Sequence, residues 1–274
     1  MKRILVPVGC RSDKGLSAPV ITQLKNYFDV DVLDLEPQDF GMSYLITDAC
    51  IRKNHYDFVL ITGDRVEMCA AACAAFHNKV KLGHFYAGIQ NDPVTTFDDV
   101  DRHCITLWSN VQFCESLETL YNTNDLMINA GLEPNSYVVG ISHMDDIDTK
   151  CKYKNVLPYD LVLINREPIG KEHFDFPRVD GRKIIQVVSN PDGATPRVAG
   201  AEYYANLPRN NFLWLLGHCQ RFITNSSAAF YEAPFYLKPE QIILVGSRNR
   251  NRTPVPLTPG ASYKIARILA RWLQ

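Results

Sequence analysis

The sequence has no apolar run of the roughly 18–20 residues that a membrane-spanning helix requires, no Cys-x-x-Cys pair and no excess of charge of either sign. The first absence argues against a helical membrane protein. The chain opens on Met-Lys-Arg-Ile-Leu-Val-Pro-Val, which runs straight into a strand pattern, and it reads as cytoplasmic. The second absence removes zinc-finger spacing. Eight cysteines, at 10, 50, 69, 73, 104, 114, 151 and 219, lie mostly in apolar stretches and read as buried free thiols rather than as disulfides or ligands. The third, 29 basic against 30 acidic residues, leaves no global attraction to nucleic acid. One local exception is Ser247-Arg248-Asn249-Arg250-Asn251-Arg252, three guanidinium groups in six residues, which suits a phosphate-facing loop or a solvated turn. A Gly-x-Gly-x-x-Gly fingerprint, a Walker loop and a Gly-x-Ser-x-Gly elbow are missing too, and no metal or cofactor is expected.

What is present is a globular composition, 46% hydrophobic and 22% charged, over 274 residues, enough chain for two modest α/β domains. Short β-rich runs alternate with helix-period segments, the pattern of repeated βαβ units and a parallel sheet. Strands are expected at 3–8, 30–35, 57–62, 81–86, 111–115 and 136–140, with helices at 16–28, 66–78, 99–108 and 117–130. A polar stretch around 148–158 reads as a linker. Beyond it, strands are expected at 161–165, 183–188, 221–224 and 241–245, with helices near 211–219 and 228–237. An amphipathic closing helix is expected over 261–273. The domain organisation is thus an N-terminal Rossmann-like lobe over 1–150, a reduced nucleotide-binding lobe over 159–260 and a C-terminal helix over 261–274.

Ligands of open parallel sheets sit beyond the carboxyl ends of the strands. After the first strand comes Gly9-Cys10-Arg11-Ser12-Asp13-Lys14-Gly15, where glycine permits a tight turn and Arg11 can meet an anion at a helix N-terminus. The third strand ends in Gly63-Asp64-Arg65, the fourth in His84-Phe85-Tyr86-Ala87-Gly88. Further on, Asp98-Asp99-Val100-Asp101-Arg102-His103 places Asp98 and Arg102 one helical turn apart on one face. Thr224-Asn225-Ser226-Ser227 leads into a helix containing Glu232, a phosphate seat of amides and hydroxyls with a carboxylate for ribose hydroxyls. Helix caps and dipole complementarity account for several of these residues equally well, and His84 and His103 read more naturally as structural than as acid–base groups.

Taken in this order, these segments resemble the UDP-N-acetylglucosamine 2-epimerase family. The opening loop is similar to the family's Gly-x-Arg loop, closest to its hydrolysing branch. Thr62-Gly63-Asp64-Arg65 resembles the Gly-Asp motif, and His84-Phe85-Tyr86-Ala87-Gly88 resembles His-x-Glu-Ala-Gly. Phe97 to Arg102 resembles Pro-Glu-Glu-x-Asn-Arg, and Thr224 to Pro234 resembles Thr-Asp-Ser-Gly-Gly with its Glu-Glu-Ala-Pro. Departures are the shorter second lobe, Tyr86 where the family has glutamate, Asp98 where it has glutamate, and no histidine near Asn165.

The resemblance implies a GT-B-like fold of two Rossmann-like lobes whose parallel sheets face a central cleft, the second lobe reduced. It implies inversion at C2 of a UDP-linked N-acetylhexosamine by elimination and re-addition, with Asp64, Asp98 and Arg102 catalytic. Arg11, Asp13, Tyr86, Asp99, Ser226, Ser227, Glu232 and Arg248 would hold the UDP-sugar. A glycosyltransferase using a UDP-sugar, with an acceptor that could be DNA, and a non-catalytic nucleotide-sugar binder are the alternatives. No membrane partner is expected. Dimers are common in the family, so a homodimer fits the resemblance.

Overall fold

A computed structural model describes residues 1–9, 11–36, 39–90, 97–145, 158–165, 181–188, 197–205, 207–246 and 257–274, with the side chains of Arg11 and Ser12 left out. The Arg248 segment, the expected linker and the stretch 168–180 lie outside the described residues. The chain divides into two units, Met1–Asp146 with Leu257–Gln274, and Ile147–Pro256. No described helix is long and apolar enough to cross a membrane.

In the first unit the order is β1 (Arg3–Val8), α1 (Arg11–Leu24), β2 (Asp29–Asp34), α2 (Phe40–Asn54), β3 (Phe58–Thr62), α3 (Val66–His77), β4 (Lys81–Phe85), α4 (Phe97–Trp108), β5 (Val111–Cys114), α5 (Leu117–Asn129) and β6 (Ser136–Val138). The six strands form one parallel sheet in the order β2-β1-β3-β4-β5-β6. Strand order reverses between β1 and β3, the topological switch point where α/β sheets open a crevice. β1, β3 and β4 are buried almost throughout, which is why they read as continuous apolar runs.

Helix α2 carries no apolar stripe in the sequence, and hydrophobic periodicity does not reveal it. Its buried residues are Ser43, Thr47 and Ile51. Thr47 Oγ1 donates to the Ser43 carbonyl at 2.8 Å, satisfying a hydroxyl that would otherwise cost free energy when buried. These small side chains let α2 approach α3, whose own buried face is built largely of Ala71, Ala72 and Ala75. Helix α1 starts at Arg11 rather than Leu16, so the expected loop 11–15 forms its first turns, with Pro19 inside.

The second unit contains β7 (Tyr159–Leu163), β8 (Lys183–Val188), β9 (Glu202–Ala205), α6 (Arg209–His218), β10 (Arg221–Thr224), α7 (Ala228–Tyr231) and β11 (Ile242–Leu244), and its parallel sheet runs β11-β10-β7-β8-β9. The edge strand β9, Glu-Tyr-Tyr-Ala, is not signalled by apolar alternation. The helix expected over 228–237 stops at Tyr231 and continues as a 3-10 turn, Ala233–Phe235, because Pro234 has no N–H to extend an α-helix.

Helix α8 (Ala261–Trp272) belongs to the first unit and packs on α1. Its start is fixed by Asp145, whose carboxylate accepts from Gly260 N at 2.5 Å, Ser262 N at 2.9 Å and Ser262 Oγ at 2.5 Å. Ile141 and Pro259 form a parallel bridge beside it. Gly140, at φ 89°, permits this approach: a Cβ there would stand 2.0 Å from the Thr258 carbonyl oxygen. Asp145→Ala removes a charged acceptor from three donors and is expected to cost about 2–3 kcal/mol in urea unfolding. Asp145→Asn, which keeps one acceptor oxygen, should cost less.

Candidate functional site

At the switch point, Gly9 ends β1 and Asp13 lies in the first turn of α1, 5% exposed. A Cβ on Gly9 would stand 2.8 Å from Asp13 Oδ2 and 3.9 Å from the Glu67 carboxyl carbon, so glycine here makes room for carboxylates, as much as for a turn. Glu67, in the first turn of α3, is 1% exposed. Its Oε2 lies 3.5 Å from Arg65 Nε and accepts no hydrogen bond among the described residues. A buried carboxylate oxygen in that state relies, among the described residues, on the ion pair with Arg65 alone. Sequence reasoning passes over Glu67 because an acid in a helix's first turn is ordinary. The signal for it is a lone charge in the apolar run 66–75.

Asp64 follows Gly63 in the turn between β3 and α3. Its Oδ2 pairs with Arg102 Nη2, and Arg102 Nη1 donates to the Ile89 carbonyl at 2.8 Å. Arg102 thereby joins the turns after β3 and β4 to α4. Asp98, one turn earlier on α4, is solvent-exposed, yet its carboxyl is held above the usual carboxylate range. Desolvation by its surroundings is the main cause, the negative charge of Asp64 the next, and Arg65 and Arg102 oppose both. Asp64, Asp98 and Arg102 are therefore brought together. Asp99 points the other way and is 1% exposed, enclosed on the inner side of α4.

His84 is a structural residue. Fully buried at the end of β4, its Nε2–H donates to the Gly63 carbonyl, which can only accept, at 2.9 Å, and Nδ1 faces Thr106 Oγ1 at 2.9 Å. Burial pushes its pKa from 6.5 down to about 3, with the nearby Arg102 charge also lowering it, so the ring stays neutral and fixes the backbone next to Asp64. His103 is likewise lowered, by burial first and Arg102 second.

Tyr86 departs from its expected role. It sits in left-handed backbone at φ 69°, a strained conformation for a non-glycine residue, and is 4% exposed. Its hydroxyl accepts from Ser142 N at 3.4 Å and meets His143 Nδ1 at 3.2 Å, so its polar end is engaged inside the unit. His143, 2% exposed, carries no motif and is invisible to sequence reasoning.

In the second unit, the turn after β10 is closely tied. Thr224 Oγ1 donates to the Leu163 carbonyl at 2.5 Å and accepts from Ser226 N at 2.9 Å. Ser226 Oγ accepts from Ala228 N at 3.3 Å. Two of the amides expected to be open to phosphate are thus already used, a correction to the reading of this turn as a fully free seat. Ser227 is exposed and makes no side-chain cap bond. Glu232 lies 3.8 Å from Arg209. The Asn225 amide brackets Asn165, accepting from its N–H and donating to its carbonyl, both at 2.7 Å. All six cysteines among the described residues are free.

The parallel sheets with strand-end carboxylates define a Rossmann-type α/β protein with its polar residues at the switch point. Residues 41–166 match the family model described as UDP-N-acetylglucosamine 2-epimerase. The chain is 23% identical to UDP-N-acetylglucosamine 2-epimerase of Neisseria meningitidis serogroup B, over 92% of this chain and 81% of that protein. It is 22% identical to UDP-N,N'-diacetylbacillosamine 2-epimerase (hydrolyzing) of Legionella pneumophila, over 92% and 83%. The structure of UDP-GlcNAc 2-epimerase from Methanocaldococcus jannaschii in complex with UDP-GlcNAc and UDP shares the fold, with TM-score 0.73 and 15% identity, covering 98% of this chain and 99% of that one. These matches make UDP-N-acetylglucosamine 2-epimerases the proteins this chain is similar to, at low identity and with the family model confined to residues 41–166.

The neutral, buried His84 predicts acid sensitivity. A histidine whose folded pKa is depressed contributes stability that is complete above 6.5 and is lost as pH falls toward about 3. His84→Gln, less stable than wild type at neutral pH, should lose less on acidification. The gap between the two in unfolding free energy should therefore narrow from about pH 7 to about pH 4; a constant gap would contradict the assignment.

Proposed function

We propose that this protein is a UDP-N-acetylhexosamine 2-epimerase of the hydrolysing kind. The carrying observation is the Asp64–Arg102–Asp98 group at the carboxyl ends of β3 and β4, in which a carboxylate of raised pKa stands beside an ion-paired one. The C2 hydrogen of a hexose is not acidic, so epimerisation needs the C1–O bond to UDP to break as the C2 proton leaves. Asp98 takes that proton, the C2–H electron pair forms a C1=C2 double bond, and UDP departs with the C1–O pair. Water then adds across C1=C2: its oxygen bonds to C1, and the proton it loses is taken up by a carboxylate and passed to the opposite face of C2, giving the free epimer. Asp64, positioned by Arg102, is our candidate for that second proton transfer.

Our candidates for holding the nucleotide are Arg11, Asp13, Ser226, Ser227, Glu232 and Arg248; Asp99 and Tyr86, both enclosed within the first unit, are given no contact with the sugar. In support of the substrate, the relatives are named for UDP-linked N-acetylated sugars, and the similar Methanocaldococcus structure contains UDP-GlcNAc and UDP. The name of the Legionella relative supports the hydrolysing mode. Tyr86 at the family's glutamate position, its hydroxyl already engaged by His143, is the one observation that favours a second reading, a UDP-sugar-dependent glycosyltransferase.

Asp98→Asn should lower turnover by about 100- to 10,000-fold while leaving UDP affinity within about threefold. Equal loss of both would contradict the base assignment. Because the Asp98 pKa is raised, the acid limb of the wild-type rate profile should lie above 3.8, rising with pH as the carboxylate ionises. Incubation with UDP-N-acetylglucosamine in heavy water separates the two readings: epimerisation places deuterium at C2, and transfer leaves that hydrogen untouched.

A further inference from the structure

At the opposite end of the first unit's sheet, where the strands begin, lies a groove of about 690 Å³. It is bounded by the α2–β3 turn, the α3–β4 turn and Leu273. Its floor is apolar, with Ile51, Tyr56 and Leu273 all under a tenth exposed and Val80 half-buried beside them. Its rim is cationic, with Lys2, Arg52, Lys79 and Lys81 facing a single lining carboxylate, Asp57, and the His55 imidazole beside them.

Two of these cations are already neutralised. Lys2 Nζ pairs with Asp57 at 3.0 Å, and Arg52 Nε bonds both oxygens of Asp48, at 3.0 and 2.9 Å. Among the described residues, neither Lys79 nor Lys81 has a carboxylate partner. Lys81 Nζ lies 4.9 Å from the centre of the Trp272 ring, a contact that holds the ammonium without cancelling its charge.

Basic residues near helix C-termini complement the helix dipole, and this accounts for Arg52 and Lys53 in the last turn of α2. It does not account for Lys81, the first residue of β4. Nor does it explain why both turns place non-glycine residues in left-handed backbone, His55 at φ 54° and Lys79 at φ 58°. Glycine is the default there, and a side chain costs on the order of 1 kcal/mol. The two turns keep a long cationic and an imidazole side chain at the rim despite that cost.

We propose that this groove binds a small organic phosphate of about nucleotide size, its flat apolar body over Ile51, Val80 and Leu273 and its phosphate beside Lys79 and Lys81. The volume falls within the ~300–1,000 Å³ of small-molecule sites, far more than inorganic phosphate fills. Inorganic phosphate uses only the rim and a neutral aromatic only the floor; a phosphate ester of an aromatic group uses both. This site stands apart from the strand-end carboxylates and does not depend on the reaction proposed for them.

The test is titration of the full chain with 1-naphthyl phosphate, followed by methyl NMR and calorimetry. Methyl signals of Ile51, Val80 and Leu273 should move, and those of Ile89 should stay. Lys79→Glu/Lys81→Glu should weaken binding by at least about tenfold and the milder Lys79→Gln/Lys81→Gln by less. Lys53→Glu, on the same helix end but outside the groove, should stay within about twofold. Inorganic phosphate and 1-naphthol should each bind at least about tenfold more weakly than the ester. The proposal is overturned if those methyls stay fixed, if a double variant with a wild-type unfolding midpoint binds as tightly as wild type, or if 1-naphthol binds as well as its phosphate.

Discussion

One guanidinium organises the carboxyl end of the first sheet. Arg102 reaches from α4 to Asp64 after β3 and to the Ile89 carbonyl after β4, so two turns that diverge from adjacent strands are held to one helix. The neutral imidazole of His84 stands beneath this junction and fixes the Gly63 carbonyl, which keeps the backbone next to Asp64 from shifting. A charged imidazole there would repel Arg102, so burial of His84 and ionisation of Arg102 support each other. With Asp64 engaged by the arginine, the neighbouring Asp98 is the carboxyl whose hold on a proton is raised.

The two ends of that sheet carry different mixtures of charge, the start holding Asp29 and Asp57 among its basic groups. Beyond the strands lie Asp13, Asp64, Glu67 and Asp98; before them lie Lys2, Lys79 and Lys81. The acidic end is tolerable because arginines are interleaved with it, Arg65 within 3.5 Å of Glu67 and Arg102 on Asp64. The second unit uses the same strategy more simply: Asp160, buried in β7, is answered by two partly exposed arginines, Arg182 at 3.2 Å and Arg221 at 2.5 Å.

The alternating architecture and most strands were legible in the sequence because the inner strands, such as β1, β3, β4 and β7, are buried almost throughout and so read as nearly unbroken apolar runs. The proximity of Asp64, Asp98 and Arg102 was legible because they follow a strand or share a helical face. What escaped did so for physical reasons. α2 buries Ser43 and Thr47, so its inner face looks polar. Glu67 resembles a dipole-complementing residue, and His143 meets Tyr86 across 57 positions of chain. The turn after β10 looked open because nothing in Thr224-Asn225-Ser226-Ser227 tells whether its amides bond to the threonine hydroxyl or await a ligand.

The return of α8 to the first unit bears on synthesis at the ribosome. Asp145 emerges more than a hundred residues before Gly260 and Ser262, the groups it binds. During translation, the nascent first unit must wait with its α1 surface uncovered while the whole second unit is made. That surface is a natural place for a chaperone to hold the growing chain, and any stop codon ahead of α8 would leave it permanently bare.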